Sequence, residues 1–253
     1  MKIDIDGIDI NYIDAGEGKA VLLLHGWGGS IQTMMPVLNI LKDKFRVIIV
    51  DLPGFGESDT PKNPWNSYDY AECIYKFIEK LNFNISIIFG HSHGGRISII
   101  LSSKYNIAEK LILIDSAGLV PKRSAKYYIK VYCFKLLKKI YLLIPTKNKQ
   151  EKMQKFYKKY GSRDYKDADG IMRQTMVKVI NDNLLEQLNL IKVPTLLVWG
   201  ENDEDTPVYM GKIMEQNIPD SGLVVLKEAG HYSYVDNYDQ FRAVINVFLK
   251  DDY

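Results

Sequence analysis

The fold assignment rests on one stretch, Ile85-Ser86-Ile87-Ile88-Phe89-Gly90-His91-Ser92-His93-Gly94-Gly95. Its first five residues are mostly apolar and too few for a helix, which predicts a strand buried on both faces of a parallel sheet. A helix is expected from about Gly95 to Lys104. Between them lies a G-x-S-x-G turn, Gly90 to Gly94. Such a turn strains the backbone of its central residue, and glycines two before and two after leave room for it. The Ser92 hydroxyl then stands clear of the sheet, near a helix N-terminus whose amides favour negative charge. Ser92 is therefore the candidate nucleophile.

A serine hydroxyl is a weak nucleophile until a base takes its proton. The chain has four histidines, His25, His91, His93 and His231. His91 and His93 flank Ser92, and the turn should point them away from it into packing or supporting roles. As an H-x-H pair they lack a third ligand, so no metal site is expected. His25 opens a Gly-rich loop and is read as shaping it. His231 follows the apolar run Leu223–Leu226 through Lys-Glu-Ala-Gly and is the best base. The base needs an acid to hold its tautomer and stabilise the imidazolium. Asp203, in Gly200-Glu201-Asn202-Asp203-Glu204-Asp205-Thr206-Pro207, is the leading candidate, with Asp115 and Asp205 as alternatives. Two backbone N–H groups must also face the developing oxyanion. One is expected from His93, the other from Trp27 in His25-Gly26-Trp27-Gly28-Gly29. The Trp27 indole either walls an acyl pocket or packs in the core.

Buried-strand runs recur at Ala20–Leu24, Arg46–Val50, Leu111–Ile114, Thr195–Trp199 and Leu223–Leu226. Two shorter strands, Ile3–Ile5 and Ile8–Ile13, flank the turn signal Asp6-Gly7. Helical patterns lie between the runs, at about Ile31–Lys42, Tyr68–Leu81, Val208–Gln216 and Asp239–Leu249. Alternating strands and helices predict a doubly wound α/β sheet with right-handed crossovers. In open parallel sheets the site lies at the carboxyl ends of the strands, where every motif above falls. One region breaks the alternation. Leu119–Leu190 is helical in pattern with no convincing strand, so it is read as an insertion of residues 119–190 into a core of 1–118 and 191–253.

The chain has 253 residues, 33 Lys+Arg and 31 Asp+Glu, with a formal net charge of +2. Hydrophobic residues make up 46 % and charged residues 25 %, which excludes disorder, collagen-like repeats and a coiled coil. The balance argues against nucleic acid as the main partner. It is uneven, however: residues 121–160 hold thirteen Lys/Arg and one acid, Glu151. Two separated cysteines, Cys73 and Cys133, exclude a disulfide scaffold and fit a reducing compartment. The opening MKIDIDGIDINYIDAG alternates apolar residues with acids, as a hairpin does and a signal peptide does not. No run approaches the roughly 18 apolar residues of a membrane span. The expected location is the cytoplasm.

Over nearly its whole length the chain resembles the α/β-hydrolase family, in its serine-nucleophile branch with a helical cap, like the carboxylesterases. The residues that carry the resemblance are HGWGGS from His25, DLPGFGES from Asp51, GHSHGG from Gly90, GENDEDTP from Gly200 and the GH ending at His231. The order Ser92, Asp203, His231 is the family's order. The resemblance implies a mostly parallel sheet of about eight strands flanked by helices, with an antiparallel strand near the N-terminus. It also implies a helical cap where residues 119–190 fall. Ser92 becomes the nucleophile, His231 the base and Asp203 the orienting acid, with Trp27 and His93 at the oxyanion hole. Asp51 and Ser58 match loop-stabilising positions. Dehalogenases and epoxide hydrolases of this fold carry Asp at the turn, whereas this chain carries Ser92. At position 93 relatives often carry an apolar residue; a titrating His93 would make activity more pH-dependent.

The resulting expectation is a serine hydrolase cleaving carboxylic esters of small to medium acyl groups through an acyl-enzyme, with a small-molecule substrate and no cofactor. One alternative is carbon–carbon bond hydrolysis of a vinylogous diketone, with Arg123, Arg163 and Arg173 as candidate carboxylate holders. Another is a thioesterase or acyl transferase on carrier-bound substrates. A non-catalytic ligand-binding protein is disfavoured, because all three triad residues are present. The stretch Tyr127–Ile144 is apolar or aromatic in most positions, broken by Lys130, Lys135, Lys138 and Lys139. It is expected to bury its apolar face over the active-site mouth with its lysines in water. The competing reading is a docking surface for a membrane or an acidic carrier. Tyrosines there (Tyr127, Tyr128, Tyr132, Tyr141, Tyr157, Tyr160, Tyr165) would suit an aromatic acyl pocket. No substrate-binding side chain is assigned by the pattern, and a monomer and a homodimer fit it equally.

Overall fold

The structure, a computed structural model, describes residues 1–121, 125–143 and 170–252. The apolar runs form the middle of one eight-stranded sheet. In chain order the strands are β1 (Lys2–Ile5), β2 (Ile8–Ala15), β3 (Ala20–Leu24), β4 (Arg46–Val50), β5 (Ile85–His91), β6 (Lys110–Ile114), β7 (Thr195–Gly200) and β8 (Ser221–Leu226). Across the sheet they run β1-β2-β4-β3-β5-β6-β7-β8. β2 pairs antiparallel with both β1 and β4, and every other pairing is parallel. All five side chains of β3 and all seven residues of β5 are buried, as a strand covered by helices on both faces requires. β8 closes the sheet as an edge strand and is buried only at Leu226.

Helices cover both faces. On one side lie α2 (Ser67–Lys80) and α3 (His93–Ile100), the latter continuing into a wider π turn over Leu101–Tyr105. Tyr70, Ile74 and Phe77 of α2 and Ile97 and Ile100 of α3 pack there with Leu22, Leu113 and Trp199. On the other side α1 (Ile31–Leu41) and α9 (Tyr238–Phe248) place Met34, Val37, Phe241 and Ile245 against Val21, Leu23 and Ile49. Burying each such side chain is worth about 1.5–3 kcal/mol. α2 starts cleanly because Asn66 and Asp69 form a reciprocal capping box.

The chain leaves β3 toward β4 on one side and returns to β5 on the other. The turns after β3 and β5 therefore part at a switch point, where doubly wound sheets open a crevice. Glycine makes the turn possible: a Cβ on Gly94 would land on the Leu24 carbonyl, so only glycine lets α3 lie this close to β3.

Between β6 and β7 the described residues form α4 (Ala125–Leu143), α5 (Gly170–Val179) and the short α6 (Leu185–Leu188), with no strand among them. α5 and the residues after it are tied to the core. The Trp65 N–H donates to Thr175 Oγ1 (3.1 Å), the Ser67 N–H to Asp182 Oδ2 (2.7 Å), and Arg96 Nη1 to the Asp182 carbonyl (3.0 Å). Two short elements complete the C-terminal half: α7 (Val208–Asn217) and α8 (Ser233–Asp236). α4 departs from expectation. Its apolar residues Ile129, Tyr132, Leu136, Leu137 and Ile140 are exposed, whereas Val131 and Phe134 are half-buried. A helix apolar nearly all round cannot bury every side against one neighbour.

Candidate active site

Ser92 sits between β5 and α3 at φ +50° and ψ −109°, a conformation costing about 1–3 kcal/mol for a residue with a Cβ. Three backbone hydrogen bonds hold it there. The Ser92 N–H donates to the Ile114 carbonyl (3.1 Å), and the Ser92 carbonyl accepts from Gly95 (3.0 Å) and Ala117 (3.1 Å). The result points Oγ at His231, with 2.9 Å between Oγ and Nε2. On the other side of the ring, Nδ1 lies 2.9 Å from Asp203 Oδ2. A carboxylate only accepts, so Nδ1 carries the proton and the Nε2 lone pair faces the hydroxyl.

Asp203 is buried, and its carboxylate is fully used. Oδ1 accepts from the Asp205 and Thr206 amides, both at 2.9 Å. Oδ2 accepts from His231 and from the Thr206 hydroxyl at 2.7 Å. Burial by itself would raise the Asp203 pKa, but the hydrogen bonds and charge of His231 and the Thr206 donors hold it below the usual carboxylate value. Burial likewise pulls His231 down, and the hydrogen bond and charge of Asp203 outweigh it, leaving His231 above 6.5. The loop is anchored by Trp199, whose indole N–H donates to the Thr206 carbonyl (2.6 Å). Asp203, Asp205 and His231 bring potential metal-ligand atoms within 4.8 Å of one another. The Asp203 oxygens, however, are already committed to these four hydrogen bonds.

Asp115, weighed as an alternative acid, does something else. Its carboxylate accepts from the Gly200 N–H (2.8 Å) and the Ser233 N–H (3.0 Å), and its carbonyl lies 2.9 Å from Thr206 Oγ1, whose one proton goes to the nearer Asp203 Oδ2. It thereby braces the Asp203 loop against the turn that carries His231. Burial raises its pKa to about 7, against the pull of those donors. Like Ser92, it holds a positive φ, +44°. The brace and the Thr206 hydroxyl were missed in the sequence; the only trace was an Asp at a strand end and a Thr within the GENDEDTP motif.

The other histidines are neutral. His91 Nε2–H donates to the His231 carbonyl (2.8 Å) and so fixes the His231 backbone. Burial, with the nearby His231, lowers its pKa to about 3. His25 Nε2 accepts from the Leu52 N–H (2.9 Å) while its Nδ1–H donates to the Gly26 carbonyl (2.7 Å). This ties the loop after β3 to the loop after β4, and burial holds His25 near 4. His93 is buried among Tyr70 (ring centroids 4.8 Å apart) and Trp27 (5.4 Å), and burial pushes it well below 6.5. The titrating His93 of the sequence reading is therefore replaced by a neutral packing residue.

The His93 amide is the first of α3 and has no intrahelical acceptor. Neither it nor the Trp27 amide donates to an acceptor among the described residues. The Trp27 ring is half-buried against Phe55 (4.9 Å), so its indole packs while its amide stays available. The loop behind them is stiff. Asp51 accepts from the Ile31 N–H (2.7 Å), the Glu57 N–H (2.9 Å) and Asn11 Nδ2 (2.8 Å), and Ser58 Oγ donates to the Asp51 carbonyl (2.6 Å). Arg173 lies on α5. Arg123 and Arg163 lie outside the described residues, as do Tyr157, Tyr160 and Tyr165 and the side chains of Tyr127, Tyr141, Lys130 and Lys138. Tyr128 and Tyr132 are exposed on α4.

Comparison with known proteins bears on the arrangement as a whole. The chain is 29 % identical over 252 residues to a pimeloyl-(acyl-carrier protein) methyl ester esterase of Legionella pneumophila (strain Paris), covering 93 % of this chain and 97 % of that protein. It is 25 % identical over 264 residues to a 2-hydroxy-6-oxononadienedioate/2-hydroxy-6-oxononatrienedioate hydrolase of Comamonas testosteroni, covering 96 % and 91 %. Its structure is similar to that of an esterase from Exiguobacterium antarcticum, with a TM-score of 0.74, 25 % identity and 97 % of each chain covered. The family description "alpha/beta hydrolase fold" matches residues 19–238. With that span covering β3 to β8, the Ser92 turn and the Asp203 and His231 loops, the chain belongs to the alpha/beta hydrolase fold family.

Proposed function

We propose that this protein is a serine hydrolase acting on carboxylic esters of small to medium acyl groups. The observation that carries the reading is the continuous relay from Ser92 Oγ through His231 to Asp203, 2.9 Å at each step, on a strained turn. Ser92 attacks the ester carbonyl as its proton passes to His231 Nε2. Asp203 stabilises the imidazolium so formed. The Trp27 and His93 amides receive the oxyanion. His231 then gives its proton to the leaving alcohol, forming an acyl-enzyme on Ser92. Water, activated by the same imidazole, releases the acid and restores Ser92. The chemistry uses no cofactor. The methyl ester esterase relative supports the ester class; the dienedioate hydrolase relative supports carbon–carbon cleavage by the same residues as the second reading.

A p-nitrophenyl ester series from acetate to palmitate, on wild type and Ser92→Ala, tests this. Turnover that peaks at short or medium chains and falls by about four orders of magnitude or more in Ser92→Ala is expected. Fluorophosphonate labelling of Ser92 without turnover of any ester would transfer the reading to the diketone class. Ester turnover that survives in Ser92→Ala would overturn it.

A further inference from the structure

Ile129, Tyr132, Leu136 and Ile140 of α4 are 64, 68, 60 and 50 % exposed. They recur at spacings of three and four, so with Leu137 they form one continuous stripe. From Ile129 to Ile140 the stripe runs about 16 Å along the helix. Single exposed apolar residues are ordinary, but a contiguous stripe marks a surface that meets something. Lys135 and Lys139, both exposed, edge the stripe, and Lys135 Nζ lies 6.0 Å from the Tyr132 ring centroid. The segment is also strongly one-signed, with thirteen Lys/Arg against one acid over residues 121–160.

We propose that this face of α4 docks on the surface of an anionic lipid bilayer. The charge chooses among occupants. A second copy would set one basic segment against another, which repels. An acidic protein would answer the lysines, but it would also need an apolar ridge matched to the stripe of about 16 Å at a fixed offset from its acids, a match a fluid bilayer does not require. An anionic bilayer answers both, with headgroups for the lysines and the acyl boundary for the stripe. No helix among the described residues is long and apolar enough to cross a membrane, so α4 would lie in the plane of the interface. The proposal goes beyond the esterase reading and does not depend on it.

The protein carries its own probe site. Cys133 is exposed on α4, whereas Cys73 is buried with its thiol pushed up to about 12, so a polarity-sensitive maleimide dye reports from α4. Labelled protein is titrated with vesicles of phosphatidylcholine alone and of phosphatidylcholine with an equal part of phosphatidylglycerol. A saturable blue shift is expected with the mixed vesicles, at least tenfold weaker with phosphatidylcholine alone and at least tenfold weaker in 0.5 M salt. Ser92→Ala should bind as wild type does. Leu136→Glu with Ile140→Glu should abolish the shift while the melting temperature and short-ester turnover stay near wild type. No shift with either vesicle, in protein that still melts cooperatively, would overturn the proposal. A shift that follows protein concentration without vesicles would overturn it in favour of a second copy, and binding equal on both vesicles would overturn it in favour of charge-independent adsorption.

Discussion

Asp203 and Asp115 are both buried carboxylates at the ends of neighbouring strands, and hydrogen-bond direction alone separates their roles. Asp203 accepts from the ring of the base, Asp115 from the backbone of the two loops that carry acid and base. Asp203→Asn should leave the fold intact but favour the wrong imidazole tautomer, lowering kcat by about 10⁴. Asp115→Asn places an amide donor against an N–H. It should cost about 1–3 kcal/mol of stability, read by urea unfolding, and lower kcat only about tenfold. A reversed order of these two kcat effects would reassign the acid. The residue types were legible because Ser, His and Asp fell in chain order after apolar runs. The tautomer of His25, the grip of His91 on His231 and the Asp115 brace were not, because each partner lies tens of residues away and is chosen by folding.

Among elements, β3 and β4 have the expected bounds because each apolar run gives way to a polar residue, His25 and Asp51, where the ladder between them ends at Leu24 and Val50. β5 runs two residues further than expected, through Gly90 and His91, which still pair with Leu113 and Ile114. α3 starts at His93, two residues before the expected Gly95. Glycine reads in sequence as a break, yet Gly94 and Gly95 serve here as thin points where helix meets strand. Gly94→Ala should therefore push α3 off β3, costing about 3 kcal/mol or more and most of the activity. Circular dichroism melts and the ester assay check both, and a melting temperature within a degree or two of wild type would refute the close approach. α4 is hard to read in sequence for the opposite reason. Its sequence is apolar on too many sides to say which faces inward.

At the scale of the molecule, the pH response follows from the buried imidazoles. His25, His91 and His93 are neutral inside the fold, held below 6.5 chiefly by burial. In the unfolded chain each takes a proton below about pH 6.5. Between about pH 6 and 4.5 the unfolded state thus binds more protons, and stability falls as pH falls. Asp115 opposes this, because its folded carboxyl is protonated below about 7 and its unfolded one ionised down to about 4. Three groups against one leave about two protons, or about 2.7 kcal/mol per pH unit at the steepest. Melting temperatures across that window check the slope, and a flat curve would contradict it. His231 is raised above 6.5, so kcat/KM should climb with pH through a midpoint above that value.

Ser92 hangs from β5, in the middle of the sheet, and His231 follows β8, which has a neighbour on one side only. The relay thus joins the best-protected part of the molecule to one of its least protected margins. Fraying of that margin separates His231 from Ser92 while the interior strands stay paired. In a denaturant titration, hydrolysis should stop before the far-ultraviolet signal moves, and amide exchange should show β8 opening first. For this architecture, the lifetime of the working enzyme is set by its outermost strand.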